Sequence, residues 1–229
     1  MGDAPGPLLA SGRDSEIFDV GGGRVLRRPR SGRSLAGEAT VMAAVHATGY
    51  PVPRVDEVLP DGSLVMERVE GPTMLDDLAR RPWRARRHAR TLASLLGRLH
   101  DVAAPEGMAL APAGVPGDAI VHMDLHPANV LMSPAGPVVV DWANAGRGAP
   151  AADVAMTWLL CRAAQAPVEG AARVVVAAFQ ARFAELVVAG LDRRAAMAAV
   201  PAVVEWKAKD GNLHPGEVEA MRRLARRGR

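Results

Sequence analysis

The sequence predicts an α+β chain in two parts: a small antiparallel sheet with one helix, then a larger and mostly helical part. Three observations lead there. Up to about residue 70, short apolar runs alternate with Gly, Ser, Asp and Pro turn formers, the pattern of strands joined by tight turns. Beyond Gly71-Pro72 the apolar positions recur at helical spacing. One stretch breaks the helical pattern, residues 121–131 and 138–142, where Asp124, Asn129 and Asp141 interrupt two apolar segments that read as buried strands. Polar groups in such surroundings need partners or a function.

Composition sets the outer bounds. With 229 residues, 49% of them hydrophobic and 23% charged, the chain holds one large domain or two small lobes with a sizeable core. No apolar run reaches the length of a bilayer span and residues 1–7 do not read as a secretory signal, so the expected compartment is the cytoplasm and no membrane partner is expected. The single Cys161 cannot form an internal disulfide, and Trp158-Leu159-Leu160 beside it favour an inert buried thiol. The pI near 9.7 with a net charge of +3 reflects abundant Arg. Aromatics at 3% leave few stacking platforms, and no helix-turn-helix or zinc pattern occurs, which disfavours a nucleic-acid partner. The Arg clusters at 80–81, 84, 86–87, 222–223 and 226–227 read as solvated helix faces.

Taken in order, residues 7–10 and 16–20 read as two strands around Ser11-Gly12-Arg13-Asp14-Ser15, and Gly21-Gly22-Gly23 turns into a third strand at 24–28. Alternation puts Val25 and Arg27 on one face of that strand. Ser34 is placed to cap a helix that carries Glu38 and the apolar residues Leu35, Val41, Met42 and Val45, and that stops at Gly49 before Pro51 and Pro53. Residues 52–59 and 64–69 complete five strands around Pro60-Asp61-Gly62. A short helix through Leu75 and Leu78 is interrupted by Pro82, and another spans 84–100 with Leu92, Leu95, Leu96 and Leu99 as its stripe. Residues 103–118 form an Ala, Pro and Gly-rich linker. Residues 143–149 read as a loop. Helices follow at 152–164, 169–189, 192–207 and 216–226, their periodicity blurred by Ala and Val in the manner of buried helices.

The exceptional stretch carries the chemistry. Ser133-Pro134-Ala135-Gly136-Pro137 folds residues 130–132 and 137–140 into a hairpin, so Asp124 and Asn129 before it and Asp141 after it converge at one end. Two carboxylates and an amide make an oxygen-rich set suited to Mg²⁺. His122-x-Asp124-x-His126 also fits a fragment of a transition-metal hydrolase site, but the other four His are scattered at 46, 88, 100 and 214. As packed loop residues, His122 and His126 need no metal.

His122-Met123-Asp124-Leu125-His126-Pro127-Ala128-Asn129, with Val140-Asp141-Trp142, resembles the signature of the aminoglycoside phosphotransferase and choline kinase-like family, which shares the protein-kinase fold. The resemblance implies a two-lobed enzyme with a nucleotide-binding lobe at 1–70 and a catalytic, substrate-binding helical lobe at 71–229. It makes Asp124 the catalytic base, Asn129 and Asp141 the Mg²⁺ ligands, and Asp153 a structural carboxylate. Ser11, Gly12 and Ser15 lie in a loop that can let backbone amides approach phosphates, as kinase glycine-rich loops do, with an ordinary hairpin as the alternative. Arg27 stands where the family pattern has a phosphate-binding Lys, with Glu38 as its helix partner; a solvated edge-strand Arg is the alternative. Glu67, Arg68 and Val69 mark the hinge where backbone groups would hold adenine, or guanine. Met123 and Ala128 replace the usual Gly without removing a chemical group.

The expected reaction is Mg²⁺-dependent transfer of the γ-phosphoryl group of ATP or GTP to a hydroxyl of a small molecule, an aminoglycoside-type antibiotic among the candidates. A polycationic acceptor calls for carboxylates, for which Asp153, Glu205, Asp210, Glu217 and Glu219 are available; a sugar, amino alcohol or macrolide remains open. A nucleotide-binding pseudokinase is the rival reading, motivated by the missing Lys and the two replaced glycines.

Overall fold

A computed structural model describes residues 6–12, 14–111, 115–164, 168–209 and 215–227. Its elements run β1 (Leu8–Ser11), β2 (Ser15–Gly21), β3 (Arg24–Pro29), α1 (Ala36–His46), β4 (Val55–Val58), β5 (Leu64–Glu67), α2 (Met74–Arg80), α3 (Ala85–His100), β6 (Ala119–Val121), β7 (Val130–Ser133), β8 (Gly136–Val139), β9 (Gly146–Gly148), α4 (Pro150–Ala163), α5 (Gly170–Val188), α6 (Arg193–Lys207) and α7 (Pro215–Arg227). The class is α+β. Two compact units divide the chain, one made of Met1–Gly71 and Leu131–Ala143, the other of Pro72–Val130 and Asn144–Arg229.

In the first unit five antiparallel strands pair in the order β1-β2-β3-β5-β4. Gly21, Gly22 and Gly23 all take positive φ, which only glycine adopts without strain, and this lets β2 turn directly into β3. On β3, Val25 and Arg27 point to the buried face while Leu26 and Arg28 are only partly covered. Helix α1 buries Ala39, Val41, Met42 and Val45, and Leu35 packs with Ala39 and Leu64. Each fully buried aliphatic side chain there contributes about 1.5–3 kcal/mol. Two local expectations are corrected. Leu35 and not Ser34 occupies the N-cap, and the Ser34 hydroxyl accepts from the Ala36 N–H at 3.2 Å in a tight side-chain turn. Strands β4 and β5 are shorter than 52–59 and 64–69; Pro51 and Pro53 lack the N–H a ladder needs, and past Glu67 one more bond in the same register, from the Arg68 N–H to the Gly23 carbonyl at 2.9 Å, closes the pairing of β5 with the turn before β3.

The β7 and β8 hairpin follows, and its exit is held within the same unit. The Val139 N–H donates to the Pro51 carbonyl at 2.8 Å, and Trp142 meets Tyr50 edge to face at 5.8 Å.

In the second unit Thr73 caps α2 in a reciprocal box with Asp76. Pro82 ends that helix in a single 3-10 turn before α3, whose Leu92, Leu95, Leu96 and Leu99 are buried. Helix α4 is buried on nearly every side, with α5 and α6 packed against it. Residues 143–149 are not wholly loop: Gly146–Gly148 pairs with Ala119–Val121. Glycine permits this, since a Cβ on Gly146 would lie 2.8 Å from the Ala109 carbonyl oxygen and one on Gly148 2.8 Å from Val121. Helix α5 is also less buried than its composition suggested. It buries only Phe183, Ala184, Val187 and Val188, and leaves Val174 and Val175 about 70% exposed. An Ala and Val run carries no facing signal, so the neighbours alone decide which end is covered.

Candidate functional site

The candidate residues fall on both units. In the first, Arg27 on β3 is the centre. It is 7% exposed, and its guanidinium donates to Glu38 on α1, to Asp141 Oδ1 at 2.9 Å and, through Nε, to the Ser15 hydroxyl at 3.0 Å. Burial alone would lower the Arg27 pKa; the Glu38 and Asp141 carboxylates outweigh it and hold the pKa above the ordinary Arg value. Burial pushes Glu38 the other way, above the usual carboxylate range, against the opposing pull of Arg27. The Glu38 Oε1 also accepts from the Trp142 N–H at 3.1 Å, while its Oε2 is buried with no hydrogen-bond partner among the described residues. Asp141 is different. Its side chain stays 45% exposed, and it is one of two non-glycine residues among those described with positive φ, at 65°. Backbone strain of that kind concentrates at functional positions.

Ser15, Arg27, Glu38 and Asp141 are thus drawn into one network. The other candidates of this unit sit elsewhere in it. Ser11 and the Gly12 carbonyl accept from Arg30, and the Gly12 N–H closes a turn onto the Ser15 carbonyl at 2.9 Å. Glu67 is exposed and accepts from the Arg54 N–H at 3.2 Å, Arg68 donates to Asp19 at 2.6 Å, and Val69 is half-buried beyond the end of β5.

In the second unit the loop after β6 carries Asp124 and Asn129. The Asn129 Nδ2 donates to the Asp124 carbonyl at 2.9 Å and to its Oδ2 at 3.3 Å, so the amide nitrogen is committed and the amide oxygen is the atom left to ligate. Asp153, fully buried on α4, accepts the N–H groups of His122 at 3.0 Å and Met123 at 2.7 Å and faces His100 Nε2 at 3.0 Å. Burial would raise its pKa; the His100 bond and charge and the loop amides prevail and lower it. The backbone leading into Asp124 is therefore pinned from below. Met123, fully buried, pays for that course with a φ of 61°.

His122 and His126 are loop-stabilising residues: each Nδ1 accepts a backbone N–H two residues on, from Asp124 and Ala128, at 3.3 Å. Among the described residues no three His, Cys, Asp or Glu side chains gather in the manner of a metal-hydrolase site. Oxygen donors such as the Asn129 amide and the half-exposed Asp141 carboxylate fit the hard-cation chemistry of Mg²⁺. Burial pushes the Cys161 thiol up to about 12, an inert group at neutral pH. Of the acidic candidates, Asp153 is spent on the loop, Glu219 pairs with Arg226 at 3.0 Å, Glu205 is exposed, and Asp210 and the Glu217 side chain lie outside the described residues.

Sequence reasoning missed Lys207, whose Nζ lies 4.0 Å from Asp124 Oδ1. Nothing local to residues 201–209 signals it; the one usable hint is that Lys207 and Lys209 are the only lysines among many arginines.

A model of the phosphotransferase enzyme family matches residues 6–114 and 107–200. A comparison with curated proteins finds no match. Among solved structures, a thermostable mutant of the aminoglycoside phosphotransferase APH(4)-Ia in its apo form superposes with a TM-score of 0.63 at 19% identity, over 97% of this chain and 94% of that one. The ternary complex of such a mutant with AMP-PNP and hygromycin B gives 0.65 at 16% identity, over 96% and 92%. A choline/ethanolamine kinase family protein from Mesorhizobium loti gives 0.59 at 18% identity, over 96% and 86%. These likenesses establish the protein-kinase-like fold.

Proposed function

Because the chain belongs to the phosphotransferase enzyme family, we propose that it transfers the γ-phosphoryl group of ATP or GTP, with Mg²⁺, to a hydroxyl of a small molecule in the cytoplasm. Residues 1–70 serve as the nucleotide-binding lobe and 71–229 as the catalytic lobe. Asp124 accepts the proton of the attacking hydroxyl. Asn129 and Asp141 supply oxygen ligands to Mg²⁺, which when bound offsets charge on the phosphates. Arg27, positioned by Ser15 and Glu38, takes the phosphate-binding role of the usual Lys, the Ser11 to Ser15 turn approaches the phosphates, and backbone groups near Glu67, Arg68 and Val69 hold the base. Most of the acceleration comes from positioning and charge neutralisation.

The observation that carries this reading is the Asn129 amide bonded to both the carbonyl and the carboxylate of Asp124, on a loop whose backbone a buried Asp153 fixes. That is the preorganisation a proton acceptor needs. For the acceptor, one neighbouring fold was solved with hygromycin B and another is a choline/ethanolamine kinase family protein, so hydroxyl-bearing aminoglycosides and amino alcohols head the panel. The test is Mg²⁺-dependent ATP and GTP consumption against aminoglycosides, macrolides, choline, ethanolamine and simple sugars. Turnover on one acceptor, abolished by chelation and in Asp124→Asn, is expected. Nucleotide binding with no turnover on any acceptor would replace this reading with the pseudokinase one.

A further inference from the structure

Lys207 closes the last turn of α6, where a cation interacts favourably with the helix dipole, but its place is not the surface expected of a helix-end lysine. Its side chain is 7% exposed, its Nζ stands 4.0 Å from Asp124 Oδ1, and the Trp206 ring lies 5.5 Å from the ammonium. Only a charge with fixed partners is tolerated at that burial. The far oxygen of the same carboxylate, Oδ2, accepts from the Asn129 amide at 3.3 Å. The two carboxylate oxygens thus face partners on separate elements, a hydrogen bond from the loop itself and, at ion-pair distance, Lys207, 83 positions further along the chain (207 − 124). Helix α6 packs on α4, the helix that carries Asp153, so the group facing the carboxylate and the group fixing the loop backbone share one support.

We infer that Lys207 is a positioning residue for Asp124, setting the plane and direction of its carboxylate. The inference rests on the reading of Asp124 as proton acceptor. Orientation has large leverage in such a step, since a misplacement of about 1 Å can cost on the order of a hundredfold in rate. A lysine that merely seats α6 would have a different signature: at a buried site an apolar side chain of similar length would serve as well or better.

The experiment uses the full chain with Mg–ATP, and reads ADP formation with water as acceptor alongside thermal unfolding. Lys207→Met keeps the stem and removes the charge. It is expected to lower kcat about tenfold or more while KM for Mg–ATP stays within about twofold, and Lys207→Arg is expected to recover a large part of the loss. In an Asp124→Asn background Lys207→Met should lower kcat no further, and the unfolding shifts of the two single variants should exceed that of the double. A parent-like kcat in Lys207→Met, a loss seen only in KM, or additive unfolding shifts would overturn the inference. If Lys207→Met fails to fold, Lys207→Gln and Lys207→Arg carry the same cycle. The two readings fail separately: undiminished turnover in Asp124→Asn removes the proton acceptor itself, whereas its loss there combined with parent-like Lys207→Met removes only the role of Lys207.

Discussion

Arg27 in the first unit and Asp153 in the second are both buried charges at the candidate site, and the two are satisfied in opposite ways. Arg27 is matched by side chains, from Ser15, Glu38 and Asp141. Asp153 is matched chiefly by backbone, the N–H groups of His122 and Met123, with His100 behind it. Side-chain partners can be exchanged, above all Asp141, which is 45% exposed and holds Arg27 by one oxygen. Backbone donors cannot be exchanged without moving the chain. The first arrangement leaves a cation able to change partners, as the proposed contact with a nucleotide's phosphates requires, and the second suits a scaffold that fixes a loop.

The hardest test of that contrast is Asp153→Ala. It leaves two buried N–H groups and His100 unmatched and should cost about 3–5 kcal/mol, with turnover lost along with the loop. Thermal unfolding and activity measure both, and a folded, active variant would break the comparison. Arg27→Met should cost less, about 1–3 kcal/mol, because Glu38, already pushed toward its neutral form by burial, can take up a proton. Its larger effect should be a roughly tenfold weaker affinity for Mg–ATP, read by titration calorimetry. Arg27→Lys retains the charge and should fall between parent and Met.

Acidity separates the two centres by sign. Asp153 has a lowered folded-state pKa, so its stabilisation is present above the unfolded value and fades as pH falls through the folded one. Glu38 has a raised folded-state pKa, so its contribution is present below the unfolded value and is lost as pH rises through the folded one. Melting curves of Asp153→Asn should therefore gain on the parent only as pH drops below about 4, and run parallel to it between about pH 4 and 7. Those of Glu38→Gln should gain on the parent as pH rises over the same span. Parallel curves for both would erase the distinction.

Legibility differed between the units for the same reason. The Arg27 to Glu38 pair could be anticipated because the family resemblance pairs those two positions, whereas strand alternation by itself only sets Arg27 on the face of Val25. Asp141 could be placed at the end of a strand, but its bond to Arg27 crosses 114 positions and has no local signal. In the second unit the Asp124 to Asn129 spacing was readable, being a property of one loop. Lys207 was not, since its meeting with Asp124 depends on how α6 packs on α4. The β6 to β9 pairing was hidden likewise, because Gly146 and Gly148 look like loop residues until the backbones they admit are known. Helix α5 misled in the other direction, its Ala and Val suggesting cover that its neighbours do not supply.

The smallest effect concerns positions 123 and 128 of the loop that carries Asp124, where the family pattern usually has glycine and which the structure separates. Met123 holds a φ of 61° with its side chain fully buried, so left-handed strain of about 1–2 kcal/mol is offset by burial worth about 1.5–3 kcal/mol. Ala128 lies in a 3-10 turn, where no positive φ is demanded and alanine costs nothing. At 123, then, Gly should be more stable than Ala by about 1 kcal/mol, since both lose the buried side chain and only Gly sheds the strain. At 128 the order should invert, with Ala128→Gly costing about 0.5–1 kcal/mol through the unfolded chain's added freedom. Chemical denaturation of the three variants checks this, and the same order at both positions would mean that the loop anchored by Asp153 is not held in the conformation that makes residue 123 expensive.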